Sequence, residues 1–203
     1  MGSRLGILGS GSGTNMAAIV EACRSGTVPA NPVLVLSDVE NASILQLATQ
    51  QGIENRYIPP GPYKTKLSEE SEQSFIHALQ AANVDWVVLA GFMRIIKSGF
   101  LRAFPERIVN IHPSLLPSFP GLNAASQAIA HGVQVTGTTV HLVDQGIDSG
   151  AIVAQAPVNV EAGDTPETLH DRIKQVEHRL YPQAIAALVS GDIKIEGRRI
   201  VRQ

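Results

Sequence analysis

The stretch Ile108-Val109-Asn110-Ile111-His112-Pro113-Ser114-Leu115-Leu116-Pro117 places an amide and an imidazole two residues apart at the end of an apolar run. Side chains on a strand alternate between faces, so Asn110 and His112 would point the same way, at one spot. Pro113 and Pro117 allow neither a continuing strand nor an immediate helix. The chain must therefore turn away at the carboxyl edge of a sheet, which is where open α/β folds place their ligands.

Outward from that turn, short β-branched or leucine-rich runs alternate with longer amphipathic ones, the pattern of parallel strands joined by helical crossovers. Strands are expected over 4–8, 33–37, 55–58, 86–90 and 108–111, with helices over 15–25, 43–51 and 68–82. The fold class that follows is α/β: a doubly wound, mostly parallel central sheet flanked by helices. Beyond the prolines the pattern changes to a short helix over 123–130, strands over 137–143 and 152–158, and a long helix over 165–188 that opens on Thr165-Pro166-Glu167. Ser190-Gly191 supplies its stop, and a small hairpin of 193–195 with 199–201 about Glu196-Gly197 closes the chain.

With 203 residues, 44% apolar and 17% charged, the composition describes one globular domain spanning 1–203. A net charge of −2 and a pI near 6.3 give no global basic field, so no nucleic-acid partner is expected. The single cysteine, Cys23, has no internal partner, and no apolar run approaches the roughly 20 residues of a membrane span. No signal-peptide core follows Met1. The expected setting is the cytoplasm, with small-molecule substrates and no membrane.

Gly9-Ser10-Gly11-Ser12-Gly13-Thr14-Asn15 follows the first strand and precedes the first helix. Glycines let the backbone approach a bulky anion, and a helix N-terminus offers unpaired N–H groups at the positive end of its dipole. The loop lacks the Gly-Lys-Ser/Thr of a Walker motif, and Thr14 takes the third glycine's slot of a dinucleotide fingerprint. The plainer reading is a tight turn with Thr14 or Asn15 as an N-cap. Asp148, in Val143-Asp144-Gln145-Gly146-Ile147-Asp148-Ser149-Gly150, could be an ordinary loop aspartate, and Asp144 competes with it. A carboxylate beside His112 would orient the ring and favour its imidazolium form. Asn110, His112 and Asp148 would then suit acyl transfer: an oxyanion donor, a charged proton donor, and a group that holds the ring and relays a proton through water.

These stretches, with Leu89-Ala90-Gly91-Phe92-Met93-Arg94-Ile95-Ile96, resemble the phosphoribosylglycinamide formyltransferases over nearly the whole chain. The resemblance implies transfer of the formyl group of 10-formyltetrahydrofolate to the amine of glycinamide ribonucleotide, a step of de novo purine synthesis, with the folate as co-substrate and no metal. It implies catalysis by Asn110, His112 and Asp148, and ribonucleotide binding by Gly13, Thr14, Asn15 and Glu177. It further implies a folate pocket from Met93, Arg94, Ile95, Ile96, Asn110 and Val143, with the rest of the 143–148 loop. The phosphate-binding half would be about 1–100, the folate and catalytic half about 101–203, and the assembly a monomer or weak homodimer. The family's cationic folate contact has its nearest counterpart in Lys66, with Lys64 beside it, and Ala125 stands where many relatives carry a histidine.

Other residues read more plainly. Phe92 suits core packing as well as ligand contact, Met93 would line a cleft, and Arg94 could be a surface charge. His141, on an alternating strand, is equally a hydrogen-bonded structural histidine beside the site. His77, His131 and His170 look solvated, His178 packs near Glu177, and Cys23 is a buried, inert thiol. No His/Cys/Asp cluster has metal spacing. A nicotinamide oxidoreductase would use the glycine loop and take Asp38 for a ribose contact, but the fingerprint is incomplete. A non-enzymatic nucleotide-binding module leaves Asn110 and His112 without a purpose. Formyltetrahydrofolate deformylase and methionyl-tRNA formyltransferase share this core but normally carry an additional N-terminal or C-terminal domain.

Overall fold

The computed structural model describes residues 2–197 and 199–202. Five strands form the parallel part of one sheet: β1 Ser3–Leu8, β2 Ala30–Ser37, β3 Glu54–Tyr57, β4 Trp86–Leu89 and β5 Ile108–His112. Two antiparallel strands, β6 Val135–Leu142 and β7 Ile152–Asn159, extend it, giving the order β3-β2-β1-β4-β5-β6-β7. The strand order reverses between β1 and β4, so their carboxyl ends diverge into the crevice typical of doubly wound sheets. The α/β class and mostly parallel sheet expected from the sequence are what the chain adopts.

Helices cover both faces. On one side α1 (Thr14–Arg24), α2 (Ser43–Gln50) and α6 (Pro166–Ser190) enclose a core that includes Leu5, Ile7, Val109, Ile111, Val140 and Ile185. On the other, α3 (Glu69–Ala81) buries Phe75 and Leu79 against Leu8, Leu36, Val87 and Ile108. α5 (Ala124–Ala130) packs its alanines on Leu169 and Ile173 of α6. The long helix starts as its sequence dictates, with a capping box between Thr165 and Thr168 and a proline in the first turn, and ends at Gly191 in the left-handed conformation. A separate hairpin, β8 Ile193–Glu196 with β9 Arg199–Arg202, follows it.

One helix was not expected: α4, Ser98–Ala103. Six residues are too few to display a helical period, and Gly99 argues against a helix. Its N-cap, Lys97, supplies no side-chain bond; instead the buried Glu72 of α3 accepts the Phe100 N–H at 3.2 Å. A side chain at residue 99 would collide with that carboxylate, its Cβ coming within 2.3 Å of Oε1, so the glycine is there for a tertiary contact.

Candidate active site

A cleft of about 960 Å³ opens at the carboxyl edge of β1, β4 and β5. The segments 11–15, 89–96, 110–113, 121–126 and 143–149, less residue 145, line it, together with one side of α6. Met93, Ile95, Leu122 and Ile147 are among its lining residues and are 47–69% exposed. Large apolar side chains left in water around one concavity mark a surface made for a flat, partly apolar ligand.

The catalytic candidates converge by strand register. Val109 and Ile111 face the α1–α6 core, so Asn110 and His112 face the opposite side, and antiparallel pairing sets His141 directly across from Asn110. His112 donates its Nε2 proton to the Phe119 carbonyl at 2.8 Å. Its Nδ1 lies 3.3 Å from Asp148 Oδ2, and that same oxygen accepts the Gly121 N–H at 2.8 Å. Both ring nitrogens thus face an oxygen, Nε2 at 2.8 Å and Nδ1 at 3.3 Å. Asp148 and Phe119 both hold left-handed backbone, φ 50° and 54°. Such conformations are costly for residues with a Cβ and persist where the surroundings enforce them. Here they aim a carboxylate and a carbonyl at the two nitrogens of one ring. Asp144 shapes the loop instead, its Oδ1 accepting from Gly146 N and Ser149 Oγ.

His141 is a structural partner of Asn110. Its Nδ1–H donates to the Leu142 carbonyl at 2.8 Å, and its Nε2 lone pair accepts from Asn110 Nδ2 at 3.2 Å. Burial pushes its pKa below the ordinary histidine value, outweighing the Leu142 carbonyl and the Asp148 carboxylate, which pull the other way. At 3.6 Å the Asp148 oxygen is too far for a hydrogen bond to Nε2. Because folding favours the neutral ring, this residue contributes stability above its unfolded pKa of about 6.5 and loses it as pH falls. At about pH 6.5, where an unperturbed histidine is half charged, its ¹⁵N imidazole shifts should be weighted toward those of neutral Nδ1–H imidazole. A fully charged ring there would contradict the assignment.

A second part of the cleft is built where the start of α1 meets α6. Gly13 caps α1 in the left-handed conformation with φ 79°, and no side chain caps the helix. The alternative in which Thr14 or Asn15 serves as N-cap is therefore not what forms: the first N–H groups of α1 remain available at the cleft. A Cβ at residue 13 would come within 2.9 Å of the Ile44 backbone, whereas one at residue 11 would meet nothing within 4 Å. Asn15 Nδ2 donates to Glu177 Oε2 at 2.8 Å, and Thr138 Oγ1 reaches Glu177 Oε1 at 3.4 Å. Burial raises the Glu177 pKa, against the lowering effect of these two donors.

Several expected residues sit differently. The Arg94 guanidinium donates to Asp38 Oδ2, at 2.6 Å, and to the carbonyls of Tyr63 and Lys64, so it is no free surface charge, and the residue also lines the cleft. Asp38 is buried, and both its oxygens are used, by Ser10 and Arg94, which removes the ribose contact that an oxidoreductase reading requires. Lys66 is exposed with its ammonium 4.5 Å over the Tyr63 ring, and Thr65 takes the place at the cleft wall. Ala125 is buried at the start of α5 and also reaches the cleft. Cys23 is half-buried, and burial pushes its pKa up to about 11, as befits an inert thiol. Missed in the sequence were His170 and Lys174, which line the cleft with Glu177. Their spacing of four and three residues was the available signal for a shared helix face.

Known proteins place the chain in a family. The family model for formyl transferase matches residues 3–185. Phosphoribosylglycinamide formyltransferase of Bacillus subtilis strain 168 is 38% identical over 186 residues, covering 92% of this chain and 94% of that protein. The trifunctional purine biosynthetic protein adenosine-3 of Drosophila melanogaster is 41% identical over 93% of this chain, which spans only 14% of that longer protein. The crystal structure of glycinamide ribonucleotide transformylase 1 from Symbiobacterium toebii superposes with a TM-score of 0.94 at 47% identity, over 98% of this chain and 93% of that one. With a family model matched along most of its length and a relative of its own size, this chain belongs to the formyl transferase family, among the phosphoribosylglycinamide formyltransferases.

Proposed function

We propose that the protein transfers the formyl group of 10-formyltetrahydrofolate to the amine of glycinamide ribonucleotide, releasing tetrahydrofolate, as a single domain acting in the cytoplasm as a monomer or weak homodimer. The observation that carries this reading is the convergence of Asn110, His112 and Asp148 in one cleft with an uncapped helix N-terminus. The ribonucleotide phosphate sits on the N–H groups of residues 13–15, with Lys174 adding positive charge and Glu177 accepting from ribose hydroxyls. The pterin lies between the 91–96 segment and the 143–148 loop, against Met93 and Ile147.

The acceptor nitrogen attacks the formyl carbon and its oxygen becomes an oxyanion. Asn110 donates to it with the amide proton not held by His141, and His112 shifts its Nε2 proton from the Phe119 carbonyl to the same oxygen. Collapse breaks the bond from carbon to the folate nitrogen. The proton lost by the attacking amine passes, through water at Asp148, to that nitrogen.

Steady-state assay of the purified protein with glycinamide ribonucleotide and either 10-formyltetrahydrofolate or formate plus ATP tests this directly. Turnover only with the folate is expected; the absence of both tetrahydrofolate and formylated ribonucleotide would refute it. Glu177→Gln should weaken ribonucleotide binding by about 1–3 kcal/mol while leaving folate binding unchanged. Ribose hydroxyls select the ionised carboxylate, so wild-type affinity should rise with pH through the region above the ordinary glutamate value, and the variant should lose that rise. Calorimetric titrations across pH measure both.

A further inference from the structure

The loop after β1 and the segment after β4 meet at a polar cluster that the proposed chemistry does not use. Ser10 N donates to the Gly91 carbonyl at 3.0 Å, and Ser10 Oγ accepts the Met93 N–H at 2.9 Å while donating to Asp38 Oδ1 at 2.5 Å. The second Asp38 oxygen takes Arg94 Nε at 2.6 Å. Asp38 is 4% exposed. A serine hydroxyl has one proton and a free rotor, so a carboxylate that accepts the proton also fixes the lone pair turned toward Met93. Burying such an ion pair is expensive and by itself a poor stabiliser. What it does supply here is direction: the end of β2 grips residues 10 and 94 at once.

We propose that Asp38, acting through Ser10 and Arg94, is a positioning residue that sets the distance between the ribonucleotide-binding loop and the folate-binding segment. Ser10 lies three residues before Gly13, and Met93 opens the stretch that faces the folate. The amine and the formyl carbon arrive on these two separate segments, and reaction requires them within about 3–3.5 Å of each other, where a 1 Å error costs about 10²-fold. This assignment rests on the formyl-transfer reading above.

Ser10→Ala removes only the hydroxyl, and Asp38→Asn keeps the size of the side chain. Each should lower kcat by about 10–100-fold while either KM changes less than about threefold, because each segment keeps its own binding surface. The double variant should be little worse than the poorer single one, since both act along one path. Independently of turnover, hydrogen exchange at the Met93 amide should accelerate at least about tenfold in both variants, with the Ala90 amide on the neighbouring strand end unchanged. Wild-type kcat in a folded Ser10→Ala protein, a raised KM with unchanged kcat, or unaltered Met93 exchange would each overturn the assignment. Should the wild-type protein transfer no formyl group, the activity reading fails, while the exchange measurement still decides whether Asp38 and Ser10 hold the segment. Ser10→Ala keeps the test decisive if Asp38→Asn does not fold.

Discussion

Asp148→Asn should lower kcat by about 10²–10⁴-fold, the range by which a positioned acid–base group accelerates proton transfer, with little change in either KM. In the folded protein one carboxylate oxygen faces both the Gly121 N–H and His112 Nδ1, and an amide oxygen, with two lone pairs, can still accept from the Gly121 N–H that shapes the loop. The substitution therefore keeps the shape of the loop while removing the charge that faces the ring. Without it, His112 loses the carboxylate that faces its Nδ1, and the leaving nitrogen loses the proposed relay. His112→Ala should be at least as severe. Stopped-flow or steady-state rates, with circular dichroism to verify folding, measure the effect. A folded Asp148→Asn enzyme with the wild-type rate would reduce Asp148 to a loop residue and end the three-residue mechanism.

The second large effect is expected from Asn110→Ala, at about 10²–10³-fold in kcat, as for loss of a principal oxyanion donor. The geometry makes Asn110 a donor set in advance. One amide proton is held by His141 Nε2, whose other nitrogen is fixed by the Leu142 carbonyl, so the remaining proton has a defined direction before substrate binds. Because the strand keeps its packing through Val109 and Ile111, the variant should stay folded and bind both substrates. Single-turnover rates separate the chemical step from release. A loss confined to folate KM would instead make Asn110 a binding residue alone.

Much of this was legible in the sequence because it is periodic or local. Four of the five parallel strands follow from apolar runs, the exception being the polar edge strand β3, and the shared face of Asn110 and His112 follows from the two-residue repeat of a strand. The start of α6 follows from Thr165-Pro166-Glu167. What could not be read depends on contacts distant in sequence. α4 is capped by Glu72 from another helix, and the Arg94 guanidinium is held by Asp38, 56 residues away. Lys66 is a folate contact only by resemblance, and the place of its ammonium, over the Tyr63 ring, is set by a tertiary neighbour that no local pattern shows. His170 and Lys174 do not stand out in the sequence because a long amphipathic helix has several polar faces, and the one turned to the cleft is selected by the packing of α6 on α1, α5, β6 and β7.

The hydrogen bond between Asn15 and Glu177 joins residues 162 positions apart. The Tyr181 hydroxyl, fully buried, likewise reaches from α6 to the carbonyls of Leu89 and Val109, at 2.9 and 3.0 Å. During synthesis the five parallel strands emerge well before α6, so a nascent chain can complete most of its sheet while owning only half of its acceptor site. Contacts of such long separation incur their loop-closure entropy early and form late. On the proposed function, competence to bind the ribonucleotide should thus be among the last properties the folding chain acquires, arriving together with the helix that locks the ends of β4 and β5.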